Sequence, residues 1–306
     1  MGKIWLLGIT VFLFTTFKPA FDLHNSPQDF SIVMEDIPHF WKAYDMAKPE
    51  FNPEIFQEYY LLEASDGLQL FEPAHIESAE RLARTVEANK EYYEFIRPVT
   101  KNLDQHSKKI RKYASKLEKM YPESSFPDIY FVIGRKTTAI SVQNENMFIG
   151  IERFGPDKAD SPFANEVWAP VDQLPVYVTR ELVHYQQRYP TVGHLLSQSI
   201  QQGAADFITE LVTGTNPNRD YYKLSDEEAY RYWEVFEVQM LEEEMYSWLN
   251  DEDRDPVNLS RIMGYQIVED YYKQADDKEA ALHDILNITD FERFIDMSGY
   301  IDRFEE

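Results

Sequence analysis

The order of apolar and polar positions divides the chain into stretches of different period. From 37 to 121, apolar residues recur every three to four positions, the spacing of helices buried on one face. That spacing predicts short helices over 37–46 and 53–62, a turn at 65–67, and two longer amphipathic helices over 76–95 and 102–121, separated by Pro98. After a break at 124–127 the period shortens toward two. The segments 129–133, 139–142 and 147–152 are short and rich in β-branched and aromatic residues, so they predict strands. Gly155, Pro156 and Pro162 mark a loop. From 174 onward the pattern is helical again, over 174–188, 194–212, 225–250, 258–274, 278–286 and 290–297, with Asn216-Pro217, Pro256 and Gly299 as punctuation. No internal repeat or low-complexity segment interrupts it. The sum is an α+β chain, predominantly α, with a small β-sheet.

Composition narrows the function. Of 306 residues, 30 are Lys or Arg and 54 are Asp or Glu, a formal net charge of -24. A polyanion of that size repels phosphate, which excludes nucleic acid as a general partner. The absence of cysteine rules out disulfides, thiolate nucleophiles, Cys-ligated zinc and iron–sulfur clusters. A hydrophobic share of 43% separates the chain from disordered acidic tails.

Residues 1–20 read as a signal peptide. Lys3 gives a positive start, and residues 4–17 form an apolar run too short for a comfortable membrane span. Export to the periplasm or the exterior follows, with an uncleaved N-terminal anchor as the alternative. No later segment is apolar enough to span a membrane. Residues 21–124 then form an N-terminal helical region and 125–306 the domain that carries the chemistry.

That chemistry centres on Thr179-Arg180-Glu181-Leu182-Val183-His184. In H-E-x-x-H, two His four apart on a helix bind zinc from one face, and the Glu reaches the metal-bound water as general base. Glu181 and His184 hold the second and fifth places, while Arg180 holds the first. Eighteen residues after His184 comes Gln202-Gly203-Ala204-Ala205-Asp206. A short sheet, an E-x-x-H helix and a second helix with Q-G-A-A-D follow one another in the order of a minimal zincin.

These stretches carry a resemblance. FIGIERFG (148–155), PVYVTRELVHYQQ (175–187), LLSQSIQQGAADFITELVTG (195–214) and the segment 262–300 from IMGYQIVEDYY to DMSGY resemble a bacterial family of predicted zinc-dependent proteases, related to gliding-motility lipoprotein B. The resemblance implies a gluzincin-type, zincin-like metalloprotease fold, with zinc held by H-E-x-x-H and by the Glu of E-G-x-A-D. This chain departs at two of three ligand positions, Arg180 for His and Gln202 for Glu. A guanidinium has no lone pair to give and repels a dication, and an amide oxygen is a weak zinc donor. The expectation is a pseudopeptidase without zinc, in which Arg180 replaces the metal electrostatically by pairing with Glu181 or with Asp206 just outside the ligand set. Its partner would be an extended peptide or envelope protein, held in a groove along Ile149, Ile151 and Glu152 by backbone pairing. The resemblance also places Tyr265 against the cleft as donor to a developing oxyanion. The alternative is an active zinc metallopeptidase with Glu181 as base, His184 as ligand, and Asp206 or His194 completing the set.

Other candidates reduce to structure. Asp251, Asp253 and Asp255 alternate as in a calcium loop, but Pro256 stands where the sixth position needs Gly. His24, His39, His75, His106 and His283 lack ligand spacing. The acids at 276–277 and Asp290 stand where helices begin, which predicts capping. No serine-hydrolase elbow, P-loop or dinucleotide glycine pattern is present.

Overall fold

A computed structural model of the chain describes residues 23–157, 162–217, 219–242 and 259–304. The leader and the Asp251–253–255 run lie outside the described residues. A four-stranded mixed sheet has the order β1-β2-β4-β3. Strands β1 (Ile32–Val33) and β4 (Asn146–Gly150) run parallel to β2 (Ile129–Val132), and β3 (Ile140–Gln143) lies antiparallel to β4 at the edge. The register sets Ile129 beside Met147 and Ile140 beside Ile149. Asn144 and Glu145, both at positive φ (51° and 60°), close the β3–β4 hairpin in the two-residue turn whose twist suits paired strands. Every residue of β2 and β4 is buried, which is why both, Asn146 apart, read as apolar runs.

Six helices lie between β1 and β2: α1 (Asp36–Ala47), α2 (Pro53–Phe56), α3 (Asp66–Phe71), α4 (Ala79–Ala88), α5 (Lys90–Thr100) and α6 (Leu103–Met120). After the sheet come a ribbon of β5 (Phe154–Gly155) and β6 (Ala169–Pro170), then α7 (Leu174–His184), α8 (Leu195–Thr213), α9 (Asp226–Gln239), α10 (Leu259–Gln274), α11 (Lys278–Leu286) and α12 (Phe291–Met297). The α+β class, mainly helical, therefore holds. One apolar core runs from Phe30 to Tyr300 and crosses position 124 without a gap. Buried contacts tie the early helices to the sheet: Tyr60 both receives the Ile133 N–H (3.1 Å) and donates to the Ile133 carbonyl (2.7 Å).

Local chemistry sets several ends. Asp277 and Asp290 accept from the first-turn N–H groups of α11 and α12, Ser225 and Glu228 form a reciprocal capping box on α9, and Gly214 ends α8 at φ +76°. Elsewhere the structure departs from the sequence reading. The helix expected over 76–95 breaks at Asn89, and Pro98 lies inside α5 rather than between helices. Two single π-turns, Gln57–Leu61 and Glu72–Ile76, extend α2 and α3. Residues 151–153 leave the strand as a 3₁₀ turn.

The crossing of α8 and α10 positions the site. A Cβ on Gly203 would run into the backbone of Gly264 and Tyr265, and one on Gly264 into the backbone of Ser199. The two helices thus touch main chain to main chain, which only glycine permits.

Candidate functional site

Arg180, on the second turn of α7, is the hub. Its Nε donates to Asp206 Oδ1 at 2.7 Å, its Nη1 to Glu181 Oε1 at 3.1 Å, and its Nη2 to Gln202 Oε1. One guanidinium spends donors on both replaced or retained positions of the motif and on the acid one helical turn beyond Gln202. Asp206 is the most enclosed member, its side chain 5% exposed. It also accepts from Arg261 Nε, from Arg261 Nη2 at 2.5 Å and from the Tyr222 hydroxyl at 2.5 Å. Burial alone would raise its pKa. The Arg261 bonds, the Arg180 and Arg261 charges and the Tyr222 bond outweigh that and hold the carboxyl below its ordinary value. Asp206 therefore joins α7, α8, α10 and the short turn at Tyr222.

His184 ends α7 half-buried. Gln187 donates its amide to the Gln201 carbonyl at 2.7 Å, which turns its Oε1 to His184 Nδ1, also at 2.7 Å. Nδ1 must then be the donor, and the lone pair is left on Nε2. Burial first and the Arg180 charge second push the imidazole pKa down, against a smaller opposite pull from Glu181. His184 is thus a neutral base, oriented from behind as metal-binding histidines are.

The donor set fails the zinc test. At least three imidazole, carboxylate or thiolate donors must converge. Among the described residues no group of three His, Cys, Asp or Glu does so. The Arg180 and Arg261 guanidinium groups at the centre oppose a dication. The hollow beside Tyr177, Arg180, Asp206, Thr209 and Arg261 measures about 10 Å³, room for a single water.

Two expectations change on contact with the structure. Ile149, Ile151 and Glu152 are fully buried, and β4 is paired with β2 on one side and β3 on the other. Among the described residues no groove runs along them, because an interior strand has no free backbone edge to offer; the edge strands are β1 and β3. Tyr265 is 4% exposed, stacked on Tyr222 at 4.3 Å, and gives its hydroxyl to Glu210 Oε2 at 2.8 Å. Burial, then the nearby Glu269, pushes its pKa up to about 12. It faces another side chain rather than an open cleft. His194 caps α8 through Nδ1 to the Ser197 N–H at 3.0 Å, away from any ligand set.

The sequence reading missed Arg261, Tyr222 and Gln187. Arg261 stands two residues before Met263-Gly264-Tyr265 but 55 residues from Asp206, so no local spacing links them.

No curated protein and no solved structure matches the chain. A family model described as gliding motility protein GldB matches residues 18–253, which takes in β1 to β6, α7 with Arg180, Glu181 and His184, and α8 with Gln202 and Asp206, and stops short of α10. With 236 of 306 residues inside that match, the chain belongs to the gliding motility protein GldB family.

Proposed function

We propose that this chain is a zincin-like protein of the bacterial envelope that no longer cleaves peptides and instead holds an extended segment of a partner protein. The family supports a gliding-motility-related envelope role. Among the described residues no helix is long and apolar enough to cross a membrane. One observation carries the reading: the Arg180 guanidinium binds Glu181, Gln202 and Asp206 together, where a peptidase would gather its donors around a metal. The cation neutralises two acids that would otherwise repel each other between helices. The scaffold keeps its helix pair without a metal. The mixed sheet, the E-x-x-H helix and the Q-G-A-A-D helix follow one another in the order of a gluzincin.

Binding falls to β3. Its sequence Ile-Ser-Val-Gln carries no charge and no proline, the usual guards of a sheet edge, and Val142 is 52% exposed. Backbone pairing along such an edge needs no metal.

The test exposes the full chain to an unbiased peptide library and reads cleavage and retention in one experiment. The expected result is no chelator-sensitive cleavage, with saturable retention that Val142→Lys weakens. Cleavage that EDTA and Glu181→Gln both abolish would overturn the reading. Retention unchanged by Val142→Lys would remove β3 from it.

A further inference from the structure

We propose that the lysine face of α6 is a docking surface for an anionic phospholipid bilayer. This inference stands apart from the reading of Arg180 and of peptide binding.

This helix reverses the charge of the chain. The whole sequence carries 30 basic residues against 54 acidic ones, but α6 holds Lys108, Lys109, Arg111, Lys112, Lys116 and Lys119 against Asp104 and Glu118. The helical period sorts them by side. Ile110, Tyr113 and Leu117 face the core, and the exposed positions are the five lysines with Asp104 and Gln105. At about 100° per residue, Lys108, Lys112 and Lys119 fall within about 40° of one another, and Lys116 and Lys109 extend the arc to about 100°. From Lys108 to Lys119 the face runs about 16 Å along the helix. The two acids stand together on one flank of it.

These charges are unspent. Among the described residues, Lys108, Lys112 and Lys119 make no ion pair and no hydrogen bond. Lys109 lies 5.7 Å from the centre of the Tyr113 ring, and Lys116 gives its ammonium to the Leu211 carbonyl at 2.8 Å, so neither charge is met by an acid. Other exposed cations of the chain are paired, Lys48 with Glu94, Arg81 with Glu77 and Lys273 with Glu269. The face also lacks what a protein partner needs. Protein interfaces form around an apolar centre and are depleted in lysine, whereas no exposed position on α6 is apolar. Lysines are compact charges on flexible stems, which meet a plane of phosphates without a fixed geometry. The acidic remainder of the chain does not forbid this, since at physiological salt charges beyond about 8 Å are largely screened.

Position selects a bilayer among polyanions. The apolar run 4–17 is separated from the described chain by residues 18–22 alone, at most about 20 Å of extended backbone. The chain then enters beside α6. His24 and Phe126, just past the end of α6, exchange N–H to carbonyl bonds of 2.8 Å each. Arg111, on the flank of α6, donates to the Pro27 carbonyl at 2.7 Å and to the Phe30 carbonyl at 3.1 Å. Retained as an anchor, the run would bring lipid headgroups within reach of the lysines. One apolar segment and one basic face are the two signals that together hold a protein on a membrane, where either alone binds weakly.

Vesicle sedimentation of the full chain tests this, with phosphatidylcholine vesicles that either lack phosphatidylglycerol or contain about one-third of it. The readout is the ratio of the two affinities, in which the apolar run's own insertion cancels. A lysine near an anionic surface contributes about fivefold. The wild type should therefore prefer the anionic vesicles at least tenfold in about 0.1 M salt, and the preference should collapse toward one in about 0.5 M salt. The triple variant Lys108→Gln, Lys112→Gln, Lys119→Gln should lose at least tenfold of that ratio, while Lys108→Arg, Lys112→Arg, Lys119→Arg should keep it. All three side chains are exposed, so both variants keep the fold. A wild-type ratio near one in low salt overturns the proposal, as does a glutamine variant that keeps the wild-type ratio. So does a dimer in solution that the glutamine substitutions disperse without any lipid preference, which would assign the face to a second copy of the chain.

Discussion

Replacing Asp206 with Asn is the sharpest test of how the helical half is held. In the wild type the carboxylate receives four hydrogen bonds, three of them from guanidinium groups on α7 and α10. Bonds to a charged group contribute roughly 1.5–3 kcal/mol each when removed singly, but four on one acceptor do not add. The better measure is the cost of leaving buried cations without their counter-charge, roughly 3–5 kcal/mol. Arg180 and Arg261 keep 14% and 24% of their side-chain surface, so water recovers part of that and the low end applies, about 3 kcal/mol. Urea unfolding of Asp206→Asn at pH 7 should show that loss. In an Arg261→Met background the same substitution should cost about 1.5 kcal/mol less, because one of the stranded cations is gone. The acid branch gives a second check. The folded carboxyl lies below its unfolded value of about 3.9, so its stabilisation is complete above that pH and is lost as pH falls through the folded value. Wild type and Asp206→Asn should therefore converge as pH drops below about 4. A loss under about 1 kcal/mol at pH 7, or a difference that does not shrink in acid, would refute the assignment of Asp206 as the tie between helices.

Three further outcomes follow from the same geometry. Gly203→Ala should destabilise the chain by about 3 kcal/mol in urea unfolding, since its Cβ meets main chain on α10 that cannot rotate away; a loss near zero would contradict the close crossing. Tyr265→Phe should cost about 1 kcal/mol by removing its bond to Glu210 Oε2, which keeps the Asn216 amide, measured by thermal unfolding. Asp290→Ala should cost about 1 kcal/mol through the lost cap of α12, and an unchanged melting curve would count against that cap.

Much of the fold was legible because it is local. Strands 129–133 and 139–142 lie within a residue or so of β2 and β3, since a short period-two run between turn residues has few other uses. The caps Asp277 and Asp290 were readable for the same reason. What was missed depends on tertiary contact. Two residues at 32–33 become a strand only because Ile129 and Tyr130 lie beside them. Residues 151 and 152, read as the end of a strand, instead begin the 3₁₀ turn Ile151–Arg153, with Glu152 buried. That same burial is why residues read as groove walls proved to be core. In the site, the neighbours Arg180, Glu181, Gln202 and Asp206 could be set together from helical spacing and motif order. Arg261 and Tyr222 could not, because their link to Asp206 exists only where α8 and α10 cross.

The proposed function has Arg180 fill the place of a metal ion. Zinc content, measured by elemental analysis on the wild type and on Arg180→His combined with Gln202→Glu, tests it most directly. The expected content is below about 0.1 zinc per wild-type chain and about one per chain of the double variant, since the exchange removes the cation and adds two donors beside His184. A stoichiometric metal in the wild type, or none in a folded double variant, would contradict it.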